Sequence, residues 1–231
     1  MSVGRGLANS MKKLIFISWL GLIFGGIIAL FWYNSWKYQL PTPVPENYVG
    51  VKNGTQIKLP PEILLQVLAA SNQKLLPESD HRQNKPVFLH FFNPDCPCSR
   101  FNLPHFKSLV MEYGQEMDFM VVVMNNTRYT SAQVKEKIGM NIPVSFDTAL
   151  AKTCGVYSTP QAVILTKDSQ LYYRGNYNKN RYCTDKKTNF AQMAIENLFT
   201  NKRDQILDKY ALTAYGCQLP TCEKKVAVKK R

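Results

Sequence analysis

One stretch limits the folds open to this chain more than any other: Pro86-Val87-Phe88-Leu89-His90-Phe91-Phe92-Asn93-Pro94-Asp95-Cys96-Pro97-Cys98-Ser99-Arg100-Phe101. Its first half is an unbroken apolar run rich in aromatics, which predicts a strand buried on both faces. Its second half sets two cysteines one residue apart, then places Phe101, Phe106, Leu109 and Val110 at helical spacing. The order is buried strand, short turn, cysteine pair, helix. A cysteine there lies near the positive end of a helix dipole, where the thiolate is favoured and the pKa falls. This is a place for redox or metal chemistry.

The alternation continues downstream. Met117 to Met124 reads as a buried strand, Ser131 to Ile138 as a short helix, and Ile142 to Phe146 as a strand or its approach. Ala149 to Cys154 is a helical turn, and Gln161 to Thr166 and Gln170 to Arg174 are strands about a Lys167-Asp168 turn. Phe190 to Phe199 is an amphipathic helix. Parallel strands joined by helices, then a hairpin and a last helix, predict an α/β sandwich with one central sheet. With 231 residues, 45% of them hydrophobic, the chain can bury one full core plus an extra segment. Its six cysteines are too few to staple that length, so packing carries the fold.

The extra segment is at the N-terminus. Leu14 to Tyr33 has no charge and is long enough to cross a bilayer, while Arg5, Lys12 and Lys13 precede it. The positive-inside rule keeps that end in the cytoplasm and exports the rest. Trp32, Tyr33 and Trp36 fall where an outer aromatic belt would, and the small residues of a signal-peptidase site are missing after the apolar core. The expectation is a single-pass inner-membrane protein with its C-terminal domain in the periplasm, an oxidising compartment. The boundaries read as 1–13 cytoplasmic, 14–33 transmembrane, 34–60 an extended tether stiffened by Pro41, Pro43 and Pro45, 61–202 the domain, and 203–231 a basic tail. Tyr48 to Leu59 is a candidate hairpin about Asn53-Gly54, and Pro61 to Ala70 a helix. Net charge is +13, thinly spread except at the C-terminus, which fits a basic surface facing an anionic membrane. No nucleic-acid module is present in the sequence.

Residues 84 to 200 resemble a thioredoxin-fold domain of the redoxin branch (AhpC/TSA, TlpA-like). An aromatic strand runs into Cys96, and Pro104 lies where that family kinks its active-site helix. Ser158-Thr159-Pro160 precedes an apolar strand as the family's cis-proline loop does, and Leu171-Tyr172-Tyr173-Arg174-Gly175 is similar to its closing strand and glycine. The resemblance implies a thioredoxin-like three-layer sandwich with a central mixed sheet after the N-terminal transmembrane helix. It also implies thiol–disulfide exchange on protein dithiols or disulfides, an external redox partner to recycle the site, and no cofactor. Cys96 carries over as the attacking thiol and Pro160 as part of the catalytic loop. Thr159 and Pro97 would contact substrate, Thr159 by pairing its backbone with a substrate peptide.

The departure is at the site. The family spaces its cysteines by two residues, which would put Ser99 at the second position; here the second thiol is Cys98, and Asp95 replaces the usual tryptophan. A Cys96–Cys98 disulfide closes a smaller ring, expected to be strained and oxidising. Cys96, first after the strand, is expected to be the more exposed and more reactive of the pair. His90 stands where the family often buries an acid, suited to general acid–base work or else a core histidine bonded to a backbone carbonyl.

Two other function classes stay open. Cys96 and Cys98 with His105 would offer soft ligands for copper in a thioredoxin-fold metallochaperone. The chain's three histidines, His81, His90 and His105, do not reproduce the copper family's distal one. A peroxidase-like redoxin needs a hydroxyl three residues before its cysteine, where this chain has Asn93. Among the remaining cysteines, Cys154 reads as a small buried apolar residue. Cys217 and Cys222 form either a local disulfide or a mobile tail with free thiols. Cys183, in the long 176–187 loop, is an accessory redox candidate if it reaches Cys96 or Cys98, and otherwise a surface thiol or a partner for a tail cysteine.

Overall fold

The computed structural model of the full chain describes residues 3–37, 40–70, 85–125, 128–180, 183–200 and 208–219. Two units emerge, Met1–Leu40 and Pro41–Arg231. The first is a single helix, α1 (Val3–Lys37). Within it Ser10–Asn34 is long and apolar enough to cross a membrane, with mean hydropathy 2.5 and none of it buried.

The second unit contains α2 (Pro61–Ala70), β1 (Val87–Phe92), α3 (Pro97–Tyr113), β2 (Asp118–Val123), α4 (Ser131–Ile138) and β3 (Val144–Ser145). It continues with α5 (Ala149–Cys154), β4 (Ser158–Thr159), β5 (Gln161–Leu165), β6 (Leu171–Gly175), α6 (Phe190–Phe199), α7 (Lys209–Leu212) and β7 (Cys217–Gln218). The central sheet runs β3-β2-β1-β5-β6. β1 lies parallel to β2 and antiparallel to β5, and β6 closes antiparallel on β5, so the sheet is mixed.

Every residue of β1 is buried, as its composition requires. Side chains alternate across the strand. Phe88 and Phe92 join Phe106 and Leu109 of α3, Val134 and Ile138 of α4, and Phe190 and Ala194 of α6. Val87, Leu89 and Phe91 join Ile63 and Val67 of α2 and Leu150 and Cys154 of α5. Helices therefore cover both faces, and the architecture is the expected thioredoxin-like three-layer sandwich.

Local chemistry fixes the connections. Thr130 and Gln133 form a reciprocal capping box at the start of α4, and Gly139 ends that helix in the left-handed conformation. The Thr159–Pro160 peptide is cis, ahead of β5.

Two expectations about the periphery need correction. Residues 48–59 form no hairpin of their own: Gly54 N–H donates to Leu171 O (2.7 Å), Leu171 N–H to Thr55 O (2.9 Å) and Ile57 N–H to Ser169 O (2.8 Å). The open edge of β6 supplies the partner, and Ile57 is buried against the core. Nor is the segment after residue 203 a free tail throughout. Asn176 N–H donates to Ala211 O (2.8 Å), and its side-chain amide donates to Tyr210 O and Thr213 O. Gly175 leaves room for this, since a Cβ there would meet Ala211 O at 2.3 Å. Ala211 and Ala214 are fully buried as a result. Ser71 to Lys85 reads as a polar loop from its sequence, and all of it but Lys85 lies outside the described residues, as do the basic run beyond 220 and Cys222.

A three-sulfur candidate active site

The turn between β1 and α3 is held by its own polar groups. Cys96 N–H donates to Asn93 O (3.0 Å), Asn93 N–H to Ser99 Oγ (3.3 Å), and Asp95 N–H to Asn93 Oδ1 (3.0 Å). These bonds make Cys96 the N-cap of α3 in extended conformation, with Pro97 in the first turn, where a missing N–H costs nothing. Asp95 itself is exposed and accepts from Asn125 Nδ2 (2.7 Å) and from the Tyr129 hydroxyl.

Cys96 is disulfide-bonded to Cys217, 121 residues away in sequence, with Cα atoms 6.1 Å apart. Cys98 keeps its thiol, and the sulfurs of Cys96, Cys98 and Cys217 all lie within 4.8 Å of one another. Cys217 reaches the cluster because β7 pairs antiparallel with β4, Thr159 opposite Cys217 and Ser158 opposite Gln218. Thr159 and Pro160 thus lie at the site: Cys96 Sγ is 3.6 Å from the Thr159 carbonyl oxygen.

The disulfide expected within the Cys-Pro-Cys pair is replaced by one to the C-terminal strand, which also excludes a Cys217–Cys222 bridge in this state. A thiol two residues on in the first turn of α3 is held by helical backbone geometry, whereas a strand brings Cys217 in freely. Cys96 is not the more exposed of the pair either: it is 2% exposed and Cys98 4%, both buried. Local sequence could not have announced Cys217. The available signals were the misplaced second thiol at Cys98, which called for one from elsewhere, and Gly216-Cys217 ahead of Leu219.

The other expected residues fall elsewhere. His90 is fully buried on β1, its ring stacked on Phe106, with Nδ1 2.6 Å from the Tyr177 hydroxyl. A tyrosine rather than a backbone carbonyl meets Nδ1, and Nε2 is buried without a hydrogen-bond partner among the described residues. Burial lowers its pKa to about 3, so it is neutral at ordinary pH. His105 is buried on α3 with both ring nitrogens lacking a hydrogen-bond partner among the described residues, its pKa lowered by burial, and the sulfur cluster holds Cys217 where the copper alternative had placed this residue. Cys183 is not in the cluster. It packs against the core, accepts from Asn102 Nδ2 (3.0 Å), and burial pushes its thiol up to about 12. Cys154 is fully buried and pushed to about 12 for the same reason, as a small apolar residue would be.

In the reduced chain the three sulfurs are a soft donor set; with the disulfide closed, two of them are committed to each other.

A family profile described as a domain of unknown function, DUF6436, matches residues 65–221. A search of the curated proteins found no match. Among solved structures, the chain is similar to a hypothetical protein from Sinorhizobium meliloti 1021, at 16% identity and TM-score 0.52 over 74% of this chain and 96% of that one. It is also similar to an uncharacterized conserved protein from Geobacillus kaustophilus, at 15% identity and TM-score 0.50 over 77% and 97%. A thiol-disulfide oxidoreductase from Bacteroides fragilis overlaps 45% of this chain and 82% of its own, at 16% identity and TM-score 0.36. What the first two of these structures share with the chain is the fold.

Proposed function

This chain belongs to the DUF6436 family, a domain of unknown function, and from that starting point we propose that it is a thiol–disulfide oxidoreductase working through Cys96. The observation that carries the reading is the Cys96–Cys217 disulfide at the N-terminus of α3, with the Cys98 thiol in the same sulfur cluster. In the reduced chain the helix dipole favours the Cys96 thiolate. That thiolate attacks one sulfur of a partner's disulfide: a mixed disulfide forms and the partner's other sulfur leaves as a thiolate. Cys217 then attacks Cys96 Sγ, the mixed disulfide breaks, and the partner departs fully reduced while Cys96–Cys217 closes. Cys98 is a second thiol within reach of either partner sulfur. Run backwards, the same steps oxidise a partner dithiol, and the redox potential of the chain decides the direction. Pro160 and Thr159 frame the site, and Pro97 starts the helix beneath it.

The N-terminal helix anchors the domain to the inner membrane, with the domain on the side away from Arg5, Lys12 and Lys13. Full-length protein should then stay with membranes through a high-salt wash and be digested by protease added outside that membrane. A soluble product starting near residue 34 would refute the anchor.

The test of function is reduction of a protein disulfide by the full-length chain in detergent. Cys96→Ser should abolish exchange, and Cys217→Ser should trap mixed disulfides at Cys96. Exchange that survives Cys96→Ser would overturn the assignment. The three-sulfur set also favours a second reading, Cu(I) binding by the reduced chain. Tight one-to-one copper uptake without disulfide exchange would select it.

A further inference from the structure

β4 is two residues long, and the strand paired with it belongs to the chain's own C-terminus. The segment 214–219 lies across that edge as an extended peptide. Thr159 pairs with Cys217, Ser158 with Gln218, and Leu219 N–H reaches Tyr157 O at 3.4 Å. Thr42 holds the other side: its N–H donates to Ala214 O (2.8 Å) and its hydroxyl to Gly216 O (3.2 Å). Two ladder pairs are a short strand, marginal alone in water. The disulfide supplies the missing hold. Seated there, the segment leaves Ser158 Oγ and Thr159 Oγ1 buried without a hydrogen-bond partner among the described residues. It fills the edge without satisfying it.

The fit is selective at one position. A Cβ on residue 216 would stand 2.2 Å from Thr159 O, 2.9 Å from Thr159 carbonyl carbon and 3.3 Å from Ser158 Oγ. Two of those three atoms are backbone in a paired strand next to the reacting sulfur, so neither can swing aside. Gly216 also has φ +157°, outside the range side chains prefer. The residue just before a cysteine bonded to Cys96 must therefore be glycine when the segment pairs with β4 in this register.

We propose that residues 214–219 are a tethered stand-in for the protein's partner, competing for the β4 edge with an extended partner segment in which glycine immediately precedes the reactive cysteine. The inference rests on the oxidoreductase reading and adds the kind of partner. While Cys96–Cys217 is closed, the edge is occupied. When a reductant, an external dithiol, opens it, two electrons and two protons convert the disulfide to the Cys96 and Cys217 thiols. The segment keeps only its few hydrogen bonds, and a Gly-Cys strand can take its place.

The experiment uses the reduced full-length chain carrying Cys217→Ser, in detergent. Two peptides, Ala-Tyr-Gly-Cys-Gln-Leu and its analogue with alanine for glycine, are each activated at cysteine as a mixed disulfide with thionitrobenzoate. Cystamine serves as a small disulfide with no strand to pair. Labelling of Cys96 is followed by mass spectrometry. The glycine peptide should label Cys96 about tenfold or more faster than the alanine peptide, the usual scale of an overpacked contact. Equal rates for both peptides, with cystamine reacting, would overturn the docking inference and leave the oxidoreductase reading standing. No labelling by any of the three would remove that reading and the inference with it. Gly216→Ala in the otherwise wild-type chain gives an independent check. It should slow closure of Cys96–Cys217 during oxidation by a similar factor, and closure at the wild-type rate would also count against the proposal.

Discussion

Two cysteines touch the same helix and differ in almost everything else. Cys96 caps α3 and shares a cluster with two other sulfurs. Cys183 lies farther along the helix, against Asn102, with a thiol that burial pushes up to about 12. Cys96 is buried and Cys183 partly buried, yet the settings differ in more than that. Cys96 faces the positive end of a helix dipole and a backbone edge that a second cysteine can ride in on. Cys183 faces aromatic core and one amide. Burial alone does not make a redox thiol. Position on the helix dipole and a route for a second sulfur do.

The largest expected effect breaks the comparison directly. Cys96→Ser should eliminate disulfide exchange, while Cys183→Ser should leave the rate unchanged in the same assay. A comparable loss from Cys183→Ser would mean that the two thiols work together. Next comes stability. Closing a loop of this sequence separation restricts the unfolded chain, so the oxidised protein should exceed its Cys217→Ala variant by about 4 kcal/mol in urea unfolding. Matching curves would show that the C-terminal strand needs no sulfur to hold it.

A third prediction concerns His90, whose folded-state pKa of about 3 lies below the unfolded value near 6.5. Above pH 6.5 both states are neutral and the histidine's contribution is intact. As pH falls below that, the unfolded chain binds a proton that the folded chain refuses, so stability declines by up to ~1.4 kcal/mol per pH unit until about pH 3. His90→Leu should flatten that slope between pH 6.5 and 4.5. An unchanged slope would assign the acid sensitivity to carboxylates instead. The smallest effect returns to Cys183. Cys183→Ala should cost about 1 kcal/mol for its bond with Asn102, and native Cys183 should resist alkylation at pH 8 that labels Cys96 after reduction.

Much of this fold is legible because its elements announce themselves locally. Pro61, Ser131 and Phe190 open helices with the expected apolar spacing or caps, and the observed bounds of α2, α4, α5 and α6 coincide with the sequence reading. β1 is equally plain from its unbroken apolar run. What resisted reading was short or distant. β4 and β7 have two residues each, too few to show a period. α7 is a single turn held by Asn176, more than thirty residues upstream, and no local pattern reports that bond. The site split the same way. Cys96 could be placed from the strand, turn and helix signals around it, and Thr159 and Pro160 from their resemblance to a cis-proline loop. Cys217 could not, because its pairing is made by a sheet edge across the chain. His90 was visible as a buried position, but its neutrality follows from Phe106 and Tyr177 closing over it.

The hydrogen bonds from Thr42 to Ala214 and Gly216 bear on where this protein can be cut. A soluble form beginning at Pro41 retains both bonds and should present the sulfur cluster as the full chain does. One beginning at Pro43, two residues shorter, removes the clasp on the strand that carries Cys217. Its disulfide should be reduced faster by the same dithiol, so the choice of first residue sets the redox behaviour that such a fragment reports.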